Sequence, residues 1–334
     1  LLSLGLLCRS ADARNLVVFA PHPDDEMLMA AGVIADAASQ GDTVTVVLMT
    51  NGDRNGVSTG YARMRETVVG MAYLGLSDQR VVFLGYGDQS LLPISRASSD
   101  TAVYTSLAGV SQTYAAQGLG HVDYHRYRTG TSAAYMRANL AGDIDAILLS
   151  VRPADVYVTS LYDDHPDHRA TNIFVTQSLI RLKRQGYGFV SRVHEGIVHA
   201  PCEYCDPNYL WPMPSFTPTT PFPKPPYLDT TPLVWTQFES VPVPPSMQST
   251  NQNVNTKYQG INSYTSQLQT WLFAFVKSNE VFWPVNVADN IAPIATVTAS
   301  SVEAGTSSTA AAAVDGLVDG YPRAGHYPER HQFM

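Results

Sequence analysis

Cysteine is nearly absent. The 334-residue chain has three, Cys8, Cys202 and Cys205, too few for a disulfide framework. Cys202-Glu203-Tyr204-Cys205 also lacks the second pair of cysteines or histidines that a four-ligand zinc module requires. Basic residues are few as well: 21 Lys and Arg stand against 29 Asp and Glu, giving a formal charge of -8. No basic stripe or Lys/Arg cluster occurs, which argues against a nucleic-acid partner. No apolar run approaches the ~20 residues that cross a bilayer. What remains is a moderately acidic chain, long enough for about two domains and for a large buried core.

The ends differ from the middle. Residues 1–8 are almost wholly apolar and are followed by Ala11-Asp12-Ala13, a small-x-small pattern. This reads as a secretory signal segment ending at residue 13; the alternative is a first buried strand. A secreted, extracellular chain beginning near Arg14 would oxidise Cys202 and Cys205 to a short local disulfide. Residues 201–245 are rich in proline and aromatics, an extended segment expected to wrap the core.

Between these ends strands and helices alternate. Residues 15–20, 43–49, 80–84 and 155–159 are short apolar runs, as expected of strands covered on both faces. A further strand is expected over 190–199. Met29, Val33, Ile34 and Ala37 form a helical stripe after Glu26, and helices are expected over 61–74 (ended by Gly75), 134–150 and 167–185. A longer helical stretch is expected over 254–277, carrying Trp271, Leu272, Phe273 and Phe275. The alternation defines an α/β protein with a Rossmann-like layered fold and a mostly parallel sheet.

One short word occurs twice. Pro21-His22-Pro23-Asp24-Asp25-Glu26 follows the first strand, and Asp163-Asp164-His165-Pro166-Asp167-His168 follows the fourth. Ligands of such sheets collect beyond the carboxyl ends of strands, so the two words are expected to meet. A catalytic zinc takes three protein ligands and keeps the fourth position for water. His22 and Asp25, three residues apart, can face one metal, and His168, early in a forming helix, completes the set. Asp24, His165 and Asp167 are then left beside it: Asp24 as general base, His165 as an imidazolium donor to the oxyanion and the leaving amine, Asp167 holding the His165 tautomer. Zn2+ is the expected cofactor, although a mixed His/Asp set also binds iron and cobalt. A glycosidase built on Asp24 and Asp25 is disfavoured, because adjacent residues rarely span the ~5 Å between such carboxylates.

These words resemble those of the LmbE-like, or PIG-L, family of zinc-dependent N-deacetylases, which shows a (P/A)HPDDE word after its first strand and an HPDH word after a later one. Arg63-x-x-Glu66 before Leu74-Gly75, and Phe83-Leu84-Gly85 with Gly87-Asp88, are similar to weaker family features. The resemblance implies zinc on His22, Asp25 and His168, Asp24 as base and His165 as polarising group. It further implies substrate contacts from Arg63 and Asp88, with alternatives of a salt bridge to Glu66 for the first and a turn cap for the second. His199 would line the pocket or sit satisfied in the core; His121 and His125 could also reach a sugar. The expected activity is removal of an acetyl or short acyl group from an N-acylated amino sugar in a glycan or glycoconjugate, the alternative being a glycan-binding or adhesion module. Residues 14–289 form the expected deacetylase domain. From Asn290-Ile291-Ala292-Pro293 to Val314-Asp315-Gly316 the tail resembles the start of a discoidin (F5/8 type C) domain; residues 290–334 are too few to close such a β-sandwich.

Overall fold

Leu16, Val18 and Ala20 point to one face of the sheet and Val17 and Phe19 to the other, and all five are buried. That is why the first strand shows no polar alternation: a layer covers each face. The computed structural model describes residues 13–188, 191–200, 211–212, 215–225, 228, 233–285 and 298. Its strands are β1 (Asn15–Ala20), β2 (Thr43–Thr50), β3 (Val81–Tyr86), β4 (Asp155–Thr159), β5 (Arg192–Gly196), β6 (Glu239–Pro242) and β7 (Asn279–Val285). They form one sheet in the order β3-β2-β1-β4-β5-β7-β6. β1 to β5 pair in parallel; β7 runs antiparallel to both β5 and β6.

The helices are α1 (Asp25–Ser39), α2 (Val57–Tyr73), α3 (Leu91–Ser95), α4 (Tyr124–Thr129), α5 (Arg137–Val151), α6 (Pro166–Arg184) and α7 (Thr256–Asn262). α5 and α6 cover the face of Val17 and Phe19 through Leu140, Ile144, Ile147, Ala170 and Phe174. α1, α2 and α7 cover the other face. The chain order reverses between β1 and β4, which are hydrogen-bonded neighbours with Phe19 opposite Val158. The crevice beyond such a reversal is where open α/β sheets bind ligands, and both words leave the sheet there.

Local chemistry explains the element ends. α2 starts at Val57, four residues before the expected point, and stops at Gly75 (φ 81°), whose N–H bonds to Ala72 O while Leu76 N–H reaches Met71 O. That is a Schellman cap, which only glycine adopts without strain. The expected continuous helix over 254–277 is not there. α7 ends at Asn262, residues 263–269 cross the molecule as a loop, and a 3₁₀ turn, Thr270–Phe275, follows. Thr265 and Ser266 hydroxyls bond to Glu66 of α2, at 2.8 and 2.6 Å; such side chains compete with helical backbone bonding. β6 and β7 are additions the sequence reading did not contain.

α1 is kinked at Ala30 (φ -135°, ψ 19°). The break frees the Leu28 carbonyl and the Gly32 and Val33 N–H groups. A buried ion pair from the far end of the chain satisfies all three. Lys257 Nζ donates to Leu28 O at 2.9 Å and to Glu280 Oε1 at 2.8 Å; Gly32 N–H donates to Oε1 at 2.8 Å and Val33 N–H to Oε2 at 3.1 Å. Gly32 is needed for this approach, since a Cβ there would lie 2.9 Å from Val243.

The signal segment over 1–13 except its last residue, Cys202 and Cys205, and the discoidin-like tail over 290–334 except residue 298 lie outside the described residues. Among the described residues no helix is long and apolar enough to cross a membrane.

Candidate metal centre

β1 ends at Ala20, and Thr50 fixes the next step: its N–H and hydroxyl both donate to Pro21 O, at 3.0 and 2.8 Å. His22 is therefore set at the sheet edge. One turn on, Asp25 opens α1 and accepts the His22 backbone N–H at 2.9 Å. From β4 the second word turns into α6, with His165 as N-cap and Pro166 in the first turn, where a missing N–H costs nothing.

Three donor atoms converge. His22 Nδ1 lies 3.2 Å from His168 Nε2 and 3.2 Å from Asp25 Oδ2, and His168 Nε2 lies 3.0 Å from the same oxygen. Bonds of ~2.0–2.1 Å in a tetrahedral shell place ligand atoms about 3.3 Å apart, so the triangle has the size that a zinc-like ion requires. Two imidazole nitrogens and a carboxylate oxygen are also the right chemistry for it. His22, Asp25 and His168 are all buried.

Each histidine is backed by a carboxylate. His22 Nε2 lies 3.1 Å from Asp167 Oδ2, and His168 Nδ1 lies 3.2 Å from Asp163 Oδ2. Such partners fix the tautomer of a metal-bound imidazole and raise its basicity. This places Asp167 differently from the expectation: its carboxylate serves His22, not His165, and is held by the Gln89 and Leu91 N–H groups at 2.6 and 3.0 Å. Asp163, unassigned from the sequence, also accepts the His165, Val198 and His199 N–H groups. Burial opposes ionisation of Asp163, but His168 outweighs it and holds the carboxyl below its usual range. Burial likewise opposes protonation of His168, and Asp163 and Asp25 raise it to about 9. A metal would displace those protons.

His165 stands edge-on to His22, ring centroids 4.6 Å apart. Its Nδ1 accepts the Asp167 N–H at 3.2 Å, which leaves Nε2 as the protonated nitrogen. Burial, then the charges of His22 and His168, push its pKa well below the ordinary value. Burial and the neighbouring His22 and His168 thus oppose the imidazolium form expected of His165. Asp24 has φ 130° and ψ -30°, a strained conformation for a residue with a side chain and one found at functional sites. Burial, then Asp25, raises its carboxyl to about 8 against the pull of Arg63.

Arg63 is not paired with Glu66. Its guanidinium donates to Gly52 O and Pro23 O at 3.1 and 2.8 Å, and lies 3.6 Å from Asp24 and 3.8 Å from Asp88. Asp88 lies 3.6 Å from His22 Nε2, and its N–H is held by Asp53 at 2.8 Å. His199 packs against His168 and His165, ring centroids 5.0 and 5.8 Å apart. His121 is exposed near Asp78, and His125 is tied to Asp143 at 3.0 Å; neither shares a contact with the donor triangle.

An α/β sheet with a cluster of His and Asp donors able to hold a metal ion at its topological switch point is thus the class that fold and site define. The model of the GlcNAc-PI de-N-acetylase (PIG-L) family matches residues 17–179, just under half of the chain. A curated relative, 1D-myo-inositol 2-acetamido-2-deoxy-alpha-D-glucopyranoside deacetylase of Rhodococcus erythropolis, is 26% identical over 175 residues, 51% of this chain and 54% of that protein. The chain therefore spans about half the length of that relative. The family match falls on the part of the chain that carries the two words. Among solved structures, the A40926 pseudoaglycone deacetylase has a TM-score of 0.45 at 16% identity, over 82% of this chain and 97% of that one. N,N'-diacetylchitobiose deacetylase from Pyrococcus horikoshii has 0.41 at 16%, over 78% and 73%. These overlaps are weak and bear on neither activity nor substrate.

Proposed function

We propose that the protein is a metal-dependent deacetylase that removes the acetyl group from an N-acetylated amino sugar, with zinc as the working ion. The observation that carries this reading is the donor triangle of His22 Nδ1, Asp25 Oδ2 and His168 Nε2, with edges of 3.0 to 3.2 Å. The family match over residues 17–179 and the sugar deacetylase relative support the substrate class. A divalent ion held by these residues would supply a water of lowered pKa, from 15.7 towards about 7, and polarise the amide carbonyl.

The rest of the chemistry belongs to the side chains. The charge of a bound ion would favour the Asp24 carboxylate over its protonated form, and Asp24 takes a proton from the attacking water as the new C–O bond forms. The neutral His165 donates its Nε2–H to the developing oxyanion; a neutral imidazole keeps that proton while still stabilising charge. As the C–N bond breaks, Asp24 returns its proton to the leaving nitrogen, so one water and one amide become acetic acid and an amine, which ionise to acetate and an ammonium ion. Asp88, beside His22, and Arg63, beside Asp24 and Asp88, bind sugar hydroxyls. We place the enzyme outside the cell, a reading supported by the apolar run over 1–8 and Ala11-Asp12-Ala13.

The test is acetate release from a panel of N-acylated sugars, with zinc and after chelation. Release that vanishes on chelation and returns with zinc is expected. Release insensitive to chelators, or none from any sugar, overturns the reading.

A further inference from the structure

We propose that Trp271 is the platform on which the sugar ring of the substrate lies, a specificity-determining residue supplied from outside the family-matched residues 17–179. The inference rests on the deacetylase reading above. A line of rings leads to it from the donor triangle. His199 lies 5.0 Å from His168, and the Trp271 indole lies 5.9 Å beyond His199, ring centroid to ring centroid. His168 is fully buried, whereas Trp271 is only partly covered. Exposure therefore rises along the line from His168 to Trp271.

The indole is held in place. Its Nε1–H donates to Gln269 Oε1 at 3.0 Å, and Phe275 meets it edge to face, centroids 6.1 Å apart. The loop before it is tied to the first word at two points: Tyr264 OH donates to Glu26 Oε1 at 2.6 Å, and Gln267 Nε2 donates to Pro23 O. A third tie is Glu66, which accepts the Ser266 N–H and the Thr265 and Ser266 hydroxyls at 2.6 to 2.8 Å. The register of the platform is thus set by the same residues that place Asp24 and Asp25.

The two flanks of the site differ in chemistry. Asp88 adjoins His22, with Arg63 behind it; His199 adjoins His168, with Trp271 beyond it. A pyranose matches both, with a hydroxyl rim for charged groups and a C–H face for an aromatic ring. An acyl chain would need only an apolar lining. On this proposal the Trp271 flank takes the saccharide, and a loss that grows with acyl length is the result that would give it to the acyl group instead.

The experiment uses the zinc-loaded full chain with Trp271→Ala, Trp271→Leu and Trp271→Phe. Substrates are N-acetylglucosamine, its β-linked disaccharide and N-butyrylglucosamine. Trp271→Ala and Trp271→Leu should raise KM for all three sugars about tenfold, with kcat and zinc content near those of the native chain. Trp271→Phe should recover most of the loss. Trp271→Leu keeps apolar bulk without a flat face, so recovery by Leu overturns the inference, as does an unchanged KM or a loss that grows with acyl length. Calorimetric titration of the disaccharide into Asp24→Asn, with and without Trp271→Ala, reads binding apart from turnover. Affinity lost with Trp271 supports the platform even if the native chain releases no acetate, the result that would overturn the deacetylase reading alone. Equal affinity in the two titrations overturns the platform.

Discussion

The two regions that build the site do so by different means. Residues 17–179 supply the donor triangle and its carboxylate supports from two contiguous words at the ends of neighbouring strands. Residues 239–285 supply none of those atoms, yet they fix how the first word is held: Lys257 and Glu280 fill the break in α1, and Tyr264 and Gln267 grip Glu26 and Pro23. The difference teaches that chemistry can be written locally while geometry is imposed from a distance. A metal ligand set needs a few side chains at one sheet edge. A kinked helix opening on a strained Asp24 needs partners that no nearby residue provides.

The largest effect that could break this comparison belongs to the first region. His168→Ala should lose the metal and with it all turnover, whereas His165→Ala should keep about one metal per chain and lose about 10²-fold in turnover. Metal analysis beside single-turnover kinetics separates the two. If the two variants exchange behaviour, the donor set is wrong, and the local half of the comparison fails.

Next comes the distant half. Lys257→Met leaves Glu280 buried without its cation and should cost about 3–5 kcal/mol in urea unfolding, while Lys257→Met with Glu280→Gln should recover part of that loss. The folded fraction of Lys257→Met should also turn over more slowly, because the released Leu28 carbonyl lets α1 shift beneath Asp24 and Asp25. Loss of stability with turnover unchanged would confine the C-terminal region to a structural role.

Asp167→Asn gives a smaller effect and sharpens the local half. An amide in place of the carboxylate 3.1 Å from His22 Nε2 should lower metal affinity about 10- to 100-fold without removing the site. Competition against a chelating dye reads that shift. An unchanged affinity with a lost turnover would return Asp167 to the role the sequence reading assigned it, beside His165.

Legibility follows the same division. β1 and β4 are readable because both of their faces are buried, so apolar runs mark them without help from periodicity. His22, Asp25 and His168 are readable because ligand types cluster densely where strands end. The pairing of Asp163 with His168 and Asp167 with His22 is not. The second word holds Asp163, Asp164 and Asp167 within five residues, and only packing decides which histidine each can reach. The 254–277 segment misleads for a related reason. It is rich in apolar and aromatic residues, but Thr265 and Ser266 find Glu66, 199 and 200 residues away in sequence, and the helix does not continue through them. A buried Lys257 is equally invisible, since a lysine in sequence reads as surface until its partner is known.

The distant region also has charge chemistry of its own, which shows only as a dependence of stability on pH. Lys277 is 1% exposed, and its Nζ donates to Thr217 Oγ1 at 2.7 Å. Burial, then the charge of Lys257, lowers its pKa from 10.5 to about 8. The folded chain therefore gives up this proton near pH 8, while the unfolded chain holds it to near 10.5. Between those values the unfolded state binds more protons, so this group makes stability rise with pH, by up to about 1.4 kcal/mol per pH unit. Below pH 8 both states are charged and the slope disappears. Lys277→Met removes the titrating group: its urea stability should exceed the native value at pH 7 and the gap should close towards pH 10.5. A gap that stays constant across that range would mean that Lys277 stays charged in the fold, held by partners as strong as those that hold Lys257.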